Sequence, residues 1–200
     1  MSDPLPSSLS RLRDEFEKLP GIGPRSAERL AFHVPKSSKP EAFALASAIR
    51  DVKEQVRHCS ICYNLTEADP CRVCGNAQRD ASCVFVVEQP KDVIQLEATG
   101  LIHGVYHVLL GHIAPLDQVE PGDLTIDSLI ARVKSGKIKE VVLATNPTLE
   151  GEGTALHIKS VLSAYPVKVT RLARGLPSGS QIEFASRTVL ADAIEGRRSF

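Results

Sequence analysis

The chain has 200 residues, 42% of them hydrophobic and 24% charged, and its 24 basic side chains are balanced by 24 acidic ones. This is the composition of an ordinary globular chain, long enough for one substantial core plus one or two small modules. No apolar run approaches the ~20 residues that a membrane-spanning helix needs, and Met1, Ser2, Asp3 and Pro4 lack the basic and apolar regions of a secretory signal, so a cytoplasmic location and no membrane partner are expected.

The neutral total hides a sorting of charge. Residues 1–58 carry ten basic and eight acidic side chains, residues 81–167 six and ten, and residues 168–200 six and three, so both ends are basic and the middle is acidic. A neutral monomer is a poor tight binder of DNA, because that affinity grows with the number of phosphates neutralised. Several copies whose basic patches converge would bind better.

Leu5, Leu9, Leu12, Phe16 and Leu19 recur at three- and four-residue spacing and predict an amphipathic helix from about Ser8 to Lys18. The run L-P-G-I-G-P-R-S-A-E-R-L-A-F-H follows. Pro20 stops the first helix, Gly21 and Gly23 make a tight turn, and Pro24 opens a second helix that buries Ala27, Leu30 and Ala31. This helix-hairpin-helix pattern is an anion nest: residues without side chains let a phosphate approach the amides at a helix start, where the dipole favours negative charge. Arg25 and Arg29, four apart, can reach phosphates on either side of it and hold a DNA backbone without reading sequence. Lys18, Arg11 and Arg13 read as ordinary surface charge. A third helix is expected over about Pro40 to Arg57, with Ala42, Leu45, Ile49, Val52 and Val56 as an apolar stripe for core or subunit contact.

The most specific motif comes next. Cys59, Cys62, Cys71 and Cys74 form two C-x2-C knuckles eight residues apart, which can close a tetrahedron of thiolates around one zinc ion per chain with no coordination position open for chemistry. The module is therefore a staple, expected to fold only with its metal, with Tyr63, Asn64, Leu65 and Thr66 packed over it. The fifth cysteine, Cys83, opens the apolar run C-V-F-V-V and reads as a buried strand residue.

From there β-branched runs alternate with helical ones. Strands are expected at Cys83–Val87, Tyr106–Leu109, Glu140–Ala144 and Val167–Leu172, and helices at Pro90–Ala98, Ile126–Val133 and Thr154–Leu162. Four strands with intervening helices imply an α/β body with a mainly parallel sheet, whose ligands bind beyond the strands' carboxyl ends. Glu88 follows the first strand, and T-N-P-T-L-E-G-E-G, with Glu150 and Glu152, follows the third. His103, His107 and His112 have no cysteine or acidic partner at ligand spacing and read as structural or solvated. The tail contains G-L-P-S-G-S but no G-K-[ST] ending, which argues against ATP hydrolysis, and a short helix over about Thr188 to Ile194. Arg171 and Arg174 either line a DNA-facing surface or pair with acidic groups across a subunit boundary.

Several of these blocks, L-P-G-I-G-P-R-S-A-E-R-L-A-F-H, the four-cysteine module, V-V-E-Q-P-K-D-V, Y-H-V-L-L-G-H-I-A-P-L-D, L-A-T-N-P-T-L-E-G-E-G-T-A and T-R-L-A-R-G-L-P-S-G-S, make the chain resemble RecR-family bacterial recombination mediators over essentially its whole length. The resemblance implies a helical helix-hairpin-helix domain at 1–57, a four-cysteine zinc finger at 58–80, a Toprim domain at 81–172 and a C-terminal oligomerisation segment at 173–200. Catalytic Toprim domains pair an acidic residue after the first strand, matched by Glu88, with a D-x-D that binds magnesium. Asn146 and Thr148 stand at the two D-x-D positions here, so magnesium binding is expected to be weak or absent and the sheet non-catalytic. The alternative is a Toprim-type magnesium-dependent nuclease or primase-like enzyme. The resemblance further implies dimers that pair into a tetrameric ring, docking of RecO on the acidic Glu88, Glu150 and Glu152, and work with RecO and RecF in loading recombinase at single-stranded gaps during DNA repair.

Overall fold

The helix expected from the leucine spacing forms over Ser7–Glu17 (α1), and the turn after it bends where Gly21 adopts φ of 79°, a left-handed conformation that glycine reaches without steric cost. Gly23 is the N-cap and Pro24 the first residue of α2 (Pro24–His33), which packs on α1 and buries Ala27 and Ala31. Ser38 then caps α3 (Lys39–Gln55) in a reciprocal box: the Glu41 amide donates to Ser38 Oγ at 3.4 Å and the Ser38 amide to Glu41 Oε2 at 2.9 Å. The apolar stripe of α3 is not core. Leu45, Ile49 and Val52 are 49%, 58% and 58% exposed, and no residue of this helix is buried in the chain.

The computed structural model describes residues 5–197. Within the chain Met1–Val56 forms one compact unit and Arg57–Phe200 a second. The second unit opens with a two-residue antiparallel ribbon, β1 (Arg57–His58) and β2 (Leu65–Thr66), that carries the first cysteine knuckle. It continues as β3 (Asp80–Val87), α4 (Pro90–Glu97), β4 (Gly104–Val108), α5 (Ile126–Lys134), β5 (Glu140–Leu143), α6 (Leu149–Leu162), β6 (Lys168–Arg171) and α7 (Arg187–Glu195). The strands run parallel in the order β4-β3-β5-β6.

Period-two alternation divides the sheet's side chains between two clusters. Val84, Val86, Val141 and Leu143 pack with Leu129 and Val133 of α5 and Ile158 and Leu162 of α6. On the other face Val87, Tyr106 and Val108 meet Val93 of α4, and Tyr63 and Val73 of the cysteine module pack against them. The module thus shares a core with the sheet. Helix α6 begins at Leu149, five residues before the expected Thr154, because Thr148 Oγ1 caps it by accepting from the Gly151 amide at 3.1 Å. Among the described residues no helix is long and apolar enough to cross a membrane.

Candidate metal centre and nucleic-acid interface

The four knuckle sulfurs converge. The Sγ atoms of Cys59, Cys62, Cys71 and Cys74 all lie within 4.8 Å of one another, and those of Cys62 and Cys71 are 3.6 Å apart. A tetrahedron with metal–sulfur bonds of about 2.3 Å has edges of about 3.8 Å, so this spacing suits a four-thiolate site. Each knuckle is wound tightly enough for backbone amides to face the sulfurs: the Cys71 amide donates to Cys59 Sγ at 3.3 Å and the Cys74 amide to Cys71 Sγ at 3.5 Å. The neighbouring Cys74 thiol together with burial pushes the Cys62 thiol far up, and burial likewise raises Cys71. Four sulfurs this close shed their protons together only when a cation balances them, which is the fit expected of a structural metal site. The knuckles are tied to each other by Asp69, whose carboxylate accepts from the Ser60 amide at 2.9 Å and the Ser60 hydroxyl at 3.0 Å.

The site is wired into the sheet. The Val108 amide at the end of β4 donates to the Cys62 carbonyl at 2.8 Å, and the Tyr63 and Ser128 hydroxyls are 2.7 Å apart. Tyr63 adopts φ of 63°, and its ring meets the buried His107 edge-on, 5.6 Å between centroids at 71°. His107 Nε2 donates to the Thr125 carbonyl at 2.9 Å while Nδ1 accepts from Arg132 Nη1 at 3.2 Å. Burial, reinforced by the Arg132 charge, pushes the imidazole pKa down to about 4, so the ring is neutral. Arg132 also donates to the Tyr106 carbonyl at 2.8 Å; burial lowers its pKa, and the charges of Cys74, Cys62 and Cys59 oppose that shift. It is a half-buried cation held by the β4 backbone and the His107 ring. Replacing Tyr63 by Phe, which removes only the bond to Ser128, is expected to lower stability by about 1 kcal/mol in a denaturant melt with the metal content unchanged.

At the carboxyl end of the sheet Glu88 is only 3% exposed. Its Oε1 accepts from the Asn146 amide at 2.7 Å and its Oε2 from Asn146 Nδ2 at 2.8 Å, with His112 Nδ1 at 3.1 Å from Oε2. Gly151 permits this closeness, since a Cβ there would stand 2.1 Å from the Asn146 carbonyl oxygen and 2.7 Å from Glu88 Oε1. A magnesium ion needs carboxylate oxygens free to face it. Here both Glu88 oxygens accept from Asn146, and Thr148 Oγ1 caps α6.

The three glutamates do not form one surface cluster. Glu88 is buried beneath Asn146, and Glu152 is paired within the chain to both Arg171 and Arg174, with Arg171 Nη1 donating at 2.9 Å. Glu150 is exposed and takes no ion pair among the described residues. Arg171 and Arg174 are accordingly engaged inside their own chain, Arg174 reaching Asp192 of α7 at 3.8 Å as well. The cause is topological: in the β5-α6-β6 crossover the first turn of α6 and the end of β6 lie at the same edge of the sheet. The histidines scatter, His103 exposed, His107 buried in β4 and His112 on Glu88. Residues that the sequence reading passed over include Arg132 and the clamp in which Arg79 pairs with Glu97 while the Tyr106 hydroxyl donates to Glu97 Oε1 at 2.6 Å. Arg132 stands three positions after the buried Leu129, on the same side of α5, a placement that helical spacing shows.

In the N-terminal unit the start of α2 has no side-chain cap, and nothing lies within 4 Å of the space a Cβ would take at Gly21 or Gly23. Arg25 and Arg29 are exposed, and neither makes an ion pair among the described residues.

A glycine-marked helical hairpin, four converging cysteine sulfurs able to hold a metal, and a parallel sheet whose acidic residue is bonded to an asparagine define a Toprim-type protein. The family models separate the chain in the same way: the Toprim domain matches residues 82–173, the RecR helix-hairpin-helix residues 9–53, and the RecR four-cysteine zinc finger domain residues 56–76. Recombination protein RecR of Rhodopirellula baltica is 54% identical over 191 residues, 96% of each chain, and that of Koribacter versatilis is 50% identical over 190 residues, 95% of this chain and 96% of its own. The RecR protein of Moorella thermoacetica is 48% identical over 192 residues, 96% of each chain. The chain belongs to the RecR family of recombination proteins. That family is non-catalytic, and the bond between Glu88 and Asn146 supplies a physical reason in this member.

Proposed function

We propose that the chain is a DNA-binding mediator of recombinational repair, working in the cytoplasm with RecO and RecF to load recombinase at single-stranded gaps. The observation that carries this reading is the uncapped, sterically open start of α2, flanked by exposed Arg25 and Arg29. Unsatisfied amides, a helix dipole and two guanidinium groups are what a DNA phosphate needs. Zinc is the ion for Cys59, Cys62, Cys71 and Cys74, one per chain, because four soft thiolates in a tetrahedron favour it. Magnesium has at most a weak place beside Glu88.

Self-association to a dimer and then a tetrameric ring completes the reading. The exposed apolar face of α3 supports pairing of heads, since so many large apolar side chains in water are unusual for a surface helix. Four copies then multiply a contact that is weak in each. The R25A/R29A variant is expected to lose DNA affinity by about tenfold or more at moderate salt while native mass spectrometry finds the same assembly, whereas full affinity at low salt would reject the assignment.

Partner docking falls at the carboxyl end of the sheet, where Glu150 meets a basic RecO surface, Glu88 holds Asn146 beneath it, and Glu152, Arg171 and Arg174 brace the edge. Glu150→Lys is expected to weaken RecO binding by about tenfold in a titration at low salt, mainly through the association rate, with DNA affinity unchanged.

A further inference from the structure

Beside Glu150 lies an apolar groove of about 680 Å³ between the first turn of α6 and the loop of residues 113–121. The groove is built. Ala114 and Val119 exchange two backbone hydrogen bonds of 3.0 Å that close the loop on itself, and the Ile113 amide donates to Oγ1 of the fully buried Thr154 at 2.8 Å, which pins the loop to α6. Leu116 and Leu149, at its two lips, are 100% and 84% exposed. No interior contact accounts for leucines so placed.

The rim carries one sign of charge. Asp117, Glu120 and Glu150 line the groove together with His157, no lysine or arginine does, and none of these carboxylates takes an ion pair among the described residues. Elsewhere in this unit Glu97, Glu140 and Glu152 each have a cationic partner. An apolar trough edged by unpaired carboxylates complements an amphipathic helix whose apolar stripe is bordered by lysines or arginines.

We propose that this groove receives such a segment, a leucine-bearing basic helix of a protein partner, with Leu116 and Leu149 closing over its apolar face and Asp117, Glu120 and Glu150 meeting its cations. The proposal names the surface and the chemistry for the partner docking given above and rests on that reading. A second copy paired groove to groove would also bury the leucines, but like-charged rims would then face each other.

The test titrates the full-length, metal-loaded chain with two probes: purified RecO, and a fluorescein-labelled helical peptide of leucines and lysines with leucine at three- and four-residue spacing, its lysine-to-glutamate counterpart serving as control. The parent is expected to bind both RecO and the basic peptide, and Leu116→Asp/Leu149→Asp to weaken each by at least about tenfold, a change these exposed positions tolerate without unfolding. Asp117→Lys/Glu150→Lys is expected to do the same at low salt. RecO binding untouched by the leucine pair overturns the groove while leaving partner docking in place. Absence of RecO binding with groove-dependent peptide binding upholds the groove and removes RecO as its occupant. Equal peptide binding by parent and variants, or a change in native mass caused by the leucine pair, overturns the proposal, the latter by showing that the groove joins copies of this chain.

Discussion

Cys71→Ser is expected to abolish stoichiometric metal binding and to lower the melting temperature of the whole second unit rather than of the knuckles alone. A structural zinc site can contribute on the order of 10 kcal/mol of apparent folding energy, which a segment as short as residues 57–76 cannot replace by burial. The loss extends into the sheet because the Val108 amide is bonded to the Cys62 carbonyl, and Tyr63 and Val73 lie on the cluster around Tyr106 and Val108. Metal content by atomic emission, read beside calorimetry, checks this. A metal-free variant that melts with its parent would contradict it.

Asn146→Asp is the second large effect, and it tests why this sheet does no chemistry. The substitution sets a carboxylate where an amide now donates at 2.8 Å to Glu88, itself almost wholly buried. Two carboxylates that close cannot both ionise, so they share a proton and their joint pKa rises above the unfolded values near 4. Stability is then present at acid pH and lost as pH rises through the raised pKa. Urea melts should show a deficit of about 3 kcal/mol or more near pH 7.5 that shrinks near pH 5. Millimolar magnesium should restore part of it, because the variant regains the paired carboxylates a hard cation needs. A variant as stable as the parent near pH 7.5 without metal would show that Glu88 is not locked as described.

How much of this was legible in the residues depended on the range of the interaction involved. The knuckles needed only spacing, since Cys59, Cys62, Cys71 and Cys74 are neighbours in sequence, and the helices and strands followed from periodicity. Helix α6 starts five residues before the expected Thr154 and takes in Gly151, whose missing side chain permits closeness to Asn146. Convergence was out of reach of a linear reading. Tyr63 meets Ser128 across 65 positions, and Arg171 meets Glu152 only once β5, α6 and β6 are wound into a crossover. The burial of Glu88 was hidden for the same reason, since its lock lies 58 residues away. The stripe on α3 shows a different limit: Leu45, Ile49 and Val52 form the same pattern whether they fill a core or await a partner.

The claim that binding to DNA comes from an assembly of weak heads, with no bond made or broken, is tested most directly by light scattering of the zinc-loaded chain with and without short gapped DNA, magnesium being present in both samples. A four-chain mass that takes up DNA, loses it with R25A/R29A and leaves every strand intact is the expected result. A monomer that binds gapped DNA as tightly, or strands cut in a magnesium-dependent way that Glu88→Gln abolishes, would contradict it.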